Sequence, residues 1–359
     1  MSVLAERHAL TRRVDAFIRG GTAVAFDAVA SDVLAFQRRA IPALARLWPA
    51  DSPWDTLRPL PIGAMKALEL FAGTADEPRR VFESSGTSGQ PKSRAVFSHD
   101  GLALMDVAID VNARERLFPE PERRRILALA PSPAAVPAMI MAAGVQRLMT
   151  TFGTGDSRFL VGPAGLELEA LVADLERAES SQEPVTLVGA SFGVVALLDA
   201  LAAAGRRFRL PEGSRLMDAG GFKGRSREVG RLELCAGIGT ALGIPASHCV
   251  NLLGMTELAS QLYDTPPTPG TAPVPRPKRG PPWTRTRVLD PETLAPVAPG
   301  VTGLLCHLDL ANVERPALLL TDDLGVAEPD GDFHVLGRAR GAEAKGCSLT
   351  IEQLVSAAA

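Results

Sequence analysis

The fold of this chain is decided by one stretch, Ser84-Ser85-Gly86-Thr87-Ser88-Gly89-Gln90-Pro91-Lys92. Its glycines permit tight backbone turns and a close approach to phosphate oxygens. Its hydroxyls and backbone N–H groups are donors to those oxygens, and Lys92 adds a positive point charge. The spacing is not that of a P-loop, which requires G-x-x-x-x-G-K followed by Ser or Thr. The stretch therefore predicts a phosphate-binding loop, with a flexible Ser/Gly surface turn as the alternative.

The surrounding sequence alternates short apolar runs with longer amphipathic ones over residues 80–260. This alternation is typical of an α/β domain, in which helices cover a sheet. We predict strands at residues 80–83, 126–130, 185–189 and 215–218, and helices at residues 165–178 and 193–204. The phosphate loop then follows directly from the first predicted strand.

The predicted main domain covers residues 80–336 and is flanked by a helical start and a short tail. Residues 1–80 form its N-terminal helical segment, because apolar positions recur there at helical spacing. A loop rich in Pro, Gly and Thr at residues 264–282 separates the α/β part from a β-rich part at residues 283–336. The tail at residues 337–359 is rich in Gly and Ala. In the β-rich part we predict strands at residues 286–289, 303–308, 317–321 and 333–336.

Composition and charge favour a globular protein and argue against some classes of binding partner. The chain has 359 residues, 46% of them apolar, which is enough for a sizeable core. Its formal net charge of −3 argues against nucleic-acid or anionic-membrane partners. Cys235, Cys249, Cys306 and Cys347 form no C-x-x-C pair and have no zinc-ligand spacing, as suits a reducing cytosol. Without a signal-peptide pattern or a long apolar run, we predict a cytoplasmic protein.

Three short elements follow the loop in the sequence. Taken alone, the first predicts an ordinary loop pair, the second the end of a strand and the third a surface charge. They are Leu253-Gly254-Met255-Thr256-Glu257, Thr321-Asp322-Asp323-Leu324-Gly325 and Gly337-Arg338. In this order after the loop, they are similar to the Gly-x-Thr-Glu, Thr-Gly-Asp-Leu-Gly and Gly-Arg elements of the adenylate-forming superfamily. The loop itself resembles the signature loop of that superfamily, which includes acyl-CoA synthetases and luciferases.

This resemblance implies an enzyme that uses ATP and Mg²⁺ to convert a carboxylic acid into an acyl-adenylate. It implies that the loop and Lys92 bind phosphates, that the Thr256 hydroxyl meets the α-phosphate and that Glu257 holds Mg²⁺. Asp323 and Arg338 would face the ribose. The implied fold is α/β, with layered sheets and helices as in the large N-terminal domain of these enzymes, plus a β-rich subdomain.

Within the superfamily, the chain most resembles the acyl-protein synthetase of bacterial bioluminescence. Residues 219–223 read Ala-Gly-Gly-Phe-Lys and are similar to its Gly-Gly-Gly-Trp-Lys segment. This likeness implies that Gly220 and Gly221 lie against the adenine. Cys347 corresponds to an acyl-accepting cysteine near the C-terminus of that family. A fatty or other apolar acid would then pass from adenylate to Cys347 and on to a reductase or carrier protein, with CoA as another acceptor.

Several departures from the superfamily pattern leave a second interpretation open. Leu253 stands where an aromatic residue often stacks on adenine, and Asp322 replaces a glycine. No full C-terminal domain follows Arg338. A degenerate adenylate-fold protein that only binds a partner or an acyl-adenylate is therefore an alternative.

A third interpretation comes from Gly189-Ala190-Ser191-Phe192-Gly193, which matches the G-x-S-x-G nucleophile elbow. An α/β-hydrolase or acyltransferase would use Ser191 with a downstream acid and histidine. By order in the chain, the histidines available are His248, His307 and His334. In an adenylate-forming fold, the same strand, turn and helix would instead line the acyl pocket, with Ser191, Phe192 and Gly193 facing the substrate.

Overall fold

The structure, a computed structural model, describes residues 2–50, 52–74, 76–84, 92–220, 227–267 and 275–339. The chain divides into two compact units, each discontinuous in sequence. The first unit consists of Met1–Val111, Met255–Gln261 and Pro277–Ala359, and the second of Asn112–Gly254 and Leu262–Arg276. Of the residues predicted to form the site, Glu257 and Asp323 belong to the first unit, whereas Ser191 and Gly220 belong to the second.

Helices and strands alternate through the second unit, whereas the first unit has helices early and strands late in the chain. The helices are α1 Val3–Ile18, α2 Phe26–Ala40, α3 Pro42–Leu47, α4 Ala64–Ala67, α5 His99–Arg116, α6 Ile140–Phe152, α7 Leu168–Ser181, α8 Ser191–Ala203 and α9 Arg231–Leu242. The strands are β1 Leu60–Pro61, β2 Arg79–Glu83, β3 Arg94–Ser98, β4 Arg125–Leu129, β5 Arg158–Phe159, β6 Val161–Gly162, β7 Gly165–Leu166, β8 Val185–Ala190, β9 Arg215–Ala219, β10 Cys249–Leu253, β11 Leu262–Asp264, β12 Lys278–Arg279, β13 Thr284–Leu289, β14 Thr302–Asp309, β15 Leu318–Ala327 and β16 Phe333–Arg338. In the described ranges, no helix has both the length and the apolar character of a membrane span.

The second unit contains a mainly parallel sheet in the order β5-β4-β8-β9-β10-β11, with only β11 antiparallel to its neighbour. Every residue of β4 and β8 is buried, as expected for parallel strands covered on both faces. Leu175 of α7, Leu197 of α8 and Ile238 of α9 belong to the core that these strands share. The prediction of an α/β fold is therefore confirmed. Helix α7 begins later than predicted because Gly165 and Leu166 form β7.

The first unit contains an antiparallel sheet in the order β13-β14-β15-β16-β12, with β1 added parallel to β15. Strands β13 to β16 match the four strands predicted for the β-rich part. Helices α1 to α4 agree with the prediction that the first residues are mostly helical. A separate antiparallel hairpin, β2–β3, carries the predicted phosphate loop at its turn.

His307 is a buried residue of the first unit whose protonation should destabilise the fold. It is 1% exposed, and its Nδ1 lies 2.9 Å from Thr286 Oγ1 across β13 and β14. Burial lowers its pKa to about 4, whereas an unfolded histidine titrates at about 6.5. Between these values the unfolded chain binds more protons, so stability is lost as the pH falls. For His307 alone we expect a loss of about 2 kcal/mol in unfolding free energy from pH 7 to pH 5.

Replacing His307 with glutamine should therefore flatten the pH dependence of stability on the acid side. Urea denaturation at pH 7 and pH 5 measures the two unfolding free energies, and only their difference matters for this prediction. His99→Gln is the matched control because His99 is 96% exposed. An equal loss at pH 5 in the wild type and in His307→Gln would contradict the prediction.

Candidate active site

The predicted phosphate loop connects the two strands of the β2–β3 hairpin. Its ends are joined by the Ser84 N–H, which donates to the Ser93 carbonyl at 3.0 Å. The Ser93 N–H donates in turn to the Ser84 hydroxyl oxygen at 3.0 Å. Lys92 is half exposed, and its Nζ lies 3.1 Å from Glu83 Oε2. The other predicted loop contacts lie outside the described residues, namely those of Ser85, Gly86, Thr87, Ser88 and Gly89.

Glu257 is carried on a buried turn that side chains of the first unit hold in place. The residue is 5% exposed, and Thr256 before it is 7% exposed. The main-chain oxygen of Glu257 accepts a hydrogen bond from Asn312 Nδ2 at 2.8 Å. Asp309 accepts both the N–H of Ser260 at 2.8 Å and its hydroxyl at 2.7 Å. The backbone around Glu257 is thus fixed at two points by side chains distant in sequence.

Asp323 and Arg338 are direct cross-strand partners on β15 and β16. Arg338 Nε lies 3.5 Å from Asp323 Oδ1, and the Arg338 side chain is 77% exposed. The Asp323 N–H donates to the Thr321 hydroxyl at 3.1 Å, and that hydroxyl donates to the Leu305 carbonyl at 2.9 Å. These contacts fix the strand on which the Asp323 carboxylate is presented. The sheet register therefore pairs the two residues for which the sequence predicted ribose contacts.

Glu257 belongs to the same unit as this pair. Burial raises the pKa of Asp323, the Arg338 guanidinium opposes that shift, and the negative charges of Asp322 and, least of all, Glu257 add to it. Asp323 and Arg338 are therefore neighbours, in the unit that also carries Glu257. Within the described residues, no hydrogen bond or ion pair links Ser84 or Lys92 to these three.

The donor set around Glu257 fits a magnesium ion that is shared with a nucleotide. Among the described residues, no group of three or more His, Cys, Asp or Glu side chains forms a self-contained metal site. Mg²⁺ is usually bound by one or two carboxylates together with substrate phosphates rather than by an all-protein cage. The buried Glu257 could supply one such carboxylate, with nucleotide phosphates as the remaining ligands.

Gly220 of the second unit follows β9 and has a φ of +71°, a conformation that favours glycine. Its carbonyl accepts a hydrogen bond from Ser191 Oγ at 2.7 Å. Ser191 opens α8 and is 3% exposed, and its hydroxyl also lies 2.7 Å from Asp218 Oδ2. Asn251 Nδ2 donates to the same Asp218 oxygen at 2.9 Å. The Ser191 hydroxyl is thus bound to the segment that contains Gly220, while Gly221 lies outside the described residues.

Close packing accounts for the glycine that opens the G-x-S-x-G pentapeptide. A Cβ at Gly189 would lie 2.7 Å from Leu129 Cβ, so the contact between β8 and β4 leaves no room for a side chain.

Phe192 and Gly193 are partly exposed at the start of α8. The partners of the Ser191 hydroxyl are a carboxylate and two carbonyl oxygens. Among the described residues, no histidine is hydrogen-bonded to Ser191 Oγ, so the Ser–His pair of a hydrolase triad is not formed there.

The sequence did not reveal a set of buried polar residues, of which Asn312 binds the Glu257 carbonyl. They are Gln37, Asp309, Asn312, Glu314 and Arg315. Three of them occupy the short connection between β14 and β15, where polar residues ordinarily predict an exposed turn. Two features of the sequence could have indicated that this connection is buried. It contains no glycine and only one proline, and strongly apolar strands flank it on both sides.

The chain matches a known protein family over most of its length. The family model described as acyl-protein synthetase, LuxE, matches residues 50–356. The long-chain-fatty-acid–luciferin-component ligase of Vibrio harveyi is 23% identical over 308 residues. That match covers 83% of this chain and 78% of the Vibrio protein.

Solved structures with a similar fold are ligases. A 2-hydroxyisobutyryl-CoA ligase in the postadenylation state, in complex with R3-HIB-AMP, has a TM-score of 0.59 at 12% identity, covering 86% of this chain and 68% of that protein. A long-chain-fatty-acid-CoA ligase from Archaeoglobus fulgidus has a TM-score of 0.50 at 15% identity, covering 76% of this chain and 52% of that protein. The chain thus spans about half the length of the Archaeoglobus ligase. At these identities the likeness concerns the fold alone.

Proposed function

This chain belongs to the acyl-protein synthetase, LuxE, family, and we propose that it uses ATP to activate a fatty acid as an acyl-adenylate and then transfers the acyl group to a thiol. The main structural support is the cross-strand pair of Asp323 and Arg338, which lies in the same unit as the buried Glu257. Further support comes from the Vibrio relative, whose name specifies a long-chain fatty acid. We also propose that the protein works in the cytoplasm.

In the first step, a carboxylate oxygen of the fatty acid would form a bond to the α-phosphorus of ATP, and pyrophosphate would leave. Negative charge accumulates on the α-phosphate as this bond forms, so donors and cations positioned there lower the barrier. We assign the Thr256 hydroxyl and Lys92 to that task. Glu257 would hold Mg²⁺, which supplies further charge compensation at the phosphates. Asp323 and Arg338 would bind the ribose, and Gly220 and Gly221 would lie against the adenine.

In the second step, a thiolate sulfur would attack the acyl carbonyl carbon, and AMP would leave with the broken C–O bond. We propose Cys347 as the acceptor, after its thiol proton has passed to solvent. A reductase or carrier protein would take the acyl group from Cys347, and free CoA is the competing acceptor. Ser191, Phe192 and Gly193 remain our proposed lining of the acyl pocket, with the Ser191 hydroxyl directed to the Gly220 carbonyl.

ATP–pyrophosphate exchange that depends on a fatty acid tests this function. We expect exchange with medium- or long-chain saturated acids and none without acid, because only the acid-dependent step is reversible with labelled pyrophosphate. A panel of chain lengths, each with and without CoA, would also identify the acid and the acceptor. Absence of exchange with every acid would contradict the proposal and favour a protein that only binds nucleotide or acyl-adenylate.

A serine hydrolase is the remaining competitor, and a fluorophosphonate probe distinguishes it. We expect no labelling of Ser191 and no loss of exchange, because the hydroxyl is bound to Asp218 and Gly220 rather than to a histidine. Intact-mass measurement after incubation reports the labelling, with a known serine esterase as the positive control. Stoichiometric labelling that disappears in Ser191→Ala would contradict our assignment.

A further inference from the structure

The connection between β14 and β15 is fully buried although it is rich in polar residues. We call residues 309–317, the last residue of β14 and the segment that leads to β15, the buried connection, and every one of them is buried. Polar groups removed from water destabilise a fold unless they find hydrogen-bond partners. Gln37 of α2 supplies several of them, since its Nε2 donates to the Val313 carbonyl at 3.1 Å and also to the carbonyls of Asn312 and Arg315. Its Oε1 accepts from the Ala317 N–H at 3.0 Å.

The buried connection is the element that holds the turn carrying Glu257. Asn312 Nδ2 donates to the Glu257 carbonyl at 2.8 Å and to the Pro316 carbonyl at 3.2 Å. The amide of Asn312 therefore ties the buried connection to the residue that we propose as the magnesium ligand. A shift of Asn312 would move the Glu257 backbone with it.

Arg315 is the group that orients Asn312. Its Nη2 donates to Asn312 Oδ1, which fixes the amide so that its nitrogen faces the two carbonyls. The guanidinium carbon lies 3.7 Å from the centre of the Phe97 ring, and the residue is 1% exposed. A stacked, fork-shaped cation of this kind is a role that lysine does not reproduce.

Arg315 is also the cation at the centre of a group of buried carboxylates. Its charge is attracted by Glu314, Asp309 and Glu257, and burial opposes that charge. Two of its guanidinium nitrogens, Nε and Nη1, have no hydrogen-bond partner among the described residues. A buried arginine with unpaired donors is costly for stability. A role in function accounts for its presence better than a role in folding.

We propose that Arg315 is a positioning residue for the Thr256–Glu257 element, acting through Asn312 to set the affinity for magnesium-bound nucleotide. This inference rests on the proposed function, because it assumes that Glu257 holds Mg²⁺. Without Arg315, the Asn312 amide loses its orienting bond, so its hydrogen bond to the Glu257 carbonyl is no longer held in place. Magnesium-dependent nucleotide binding should then weaken more than turnover at saturation.

The test measures the Mg²⁺ concentration that half-saturates binding of a fluorescent ATP analogue, a quantity independent of catalysis. We expect Arg315→Lys to raise this concentration by about 10-fold or more, as outer-shell changes around a metal commonly do. Asn312→Ala should cause a similar rise. If Arg315 acts through Asn312, the double variant should show no larger rise than the larger of the two single variants.

Arg7→Lys is the matched control, because Arg7 is another buried arginine that braces the buried connection. Its Nε lies 3.7 Å from Glu314 Oε2, and its guanidinium also pairs with Glu77. We expect Arg7→Lys to lower the urea midpoint but to leave the half-saturating Mg²⁺ concentration unchanged.

The outcomes separate this inference from the proposed function. An unchanged Mg²⁺ concentration in Arg315→Lys, or additive rises in the double variant, would overturn the role of Arg315 while leaving ATP activation intact. A wild-type protein that binds the analogue equally well with and without Mg²⁺ would overturn both. A rise confined to Arg315→Lys and Asn312→Ala, with Arg7→Lys unaffected, would establish the positioning role.

Discussion

Replacing Glu257 with glutamine is expected to lower the rate of fatty-acid-dependent ATP–pyrophosphate exchange by roughly 100- to 1,000-fold. The amide keeps the shape of the side chain and the hydrogen bond from Asn312 to the main-chain oxygen. It removes the negative charge that we assign to Mg²⁺, so charge at the phosphates is compensated less well in the transition state. Initial rates of exchange at saturating acid, measured over a range of Mg²⁺ concentrations, give the size of the loss.

A stability measurement accompanies that experiment, because a fall in rate can also come from unfolding. Glu257 acts electrostatically on the buried acid Asp323 and, with the opposite sign, on the buried cation Arg315, so the urea midpoint is measured together with the rate. Glu233→Gln is the matched control, since this glutamate is 67% exposed on α9. Exchange by Glu257→Gln within a few-fold of the wild type would remove Glu257 from the proposed metal site.

Replacing Cys347 with serine should abolish covalent labelling of the protein by radiolabelled fatty acid while acid-dependent exchange continues. A hydroxyl near neutral pH is far less ionised than a thiol, so it attacks the adenylate much more slowly. Cys347 lies outside the described residues, and its role is a proposal carried by the family resemblance. Labelling is measured on denatured protein with ATP present and, as a blank, with ATP omitted.

The other cysteines provide the controls for this experiment. Cys306 is fully buried, and burial raises the pKa of its thiol to about 11, so Cys306→Ser should label normally. Cys235 is the stronger competitor, because a hydrogen bond from Cys249 lowers its pKa to about 7. It is nevertheless only 7% exposed, and we expect Cys235→Ser to label normally. Label that persists in Cys347→Ser but disappears in Cys235→Ser would move the acyl acceptor to Cys235.

Much of the fold could be predicted because it follows from local patterns. The apolar runs that become β4, β8 and β9 are short, bounded and separated by helical periodicity, which is the pattern of a covered parallel sheet. Three strands of the β-rich part were predicted close to their observed bounds, whereas β15 continues to Ala327, beyond its predicted end at residue 321. The division into two discontinuous units could not be predicted in this way, because it depends on which distant segments pack together.

For the candidate site, the sequence predicted roles for individual residues, and the structure shows how some of these residues are arranged. Asp323 and Arg338 were each identified from a short pattern, and the register of β15 on β16 makes them neighbours. Ser191 was recognised as part of a strand, turn and helix, but its bonds to Asp218 and Gly220 depend on how two parallel strands align. The identity of a residue therefore gave its chemical capacity, while pairing across the sheet gave its partner.

The sequence by itself determined the order of strands and helices and the composition of the predicted phosphate loop, since these depend on neighbours along the chain. Only the tertiary structure decided that Glu257 rests on a buried network containing Asn312 and Arg315. The physical reason is that the local sequence around an arginine, an asparagine or a glutamine can be the same whether the residue lies in an exposed turn or in the core. Burial and hydrogen bonding to residues far away in the chain, such as Gln37 to residues 312–317, become fixed only when the elements pack.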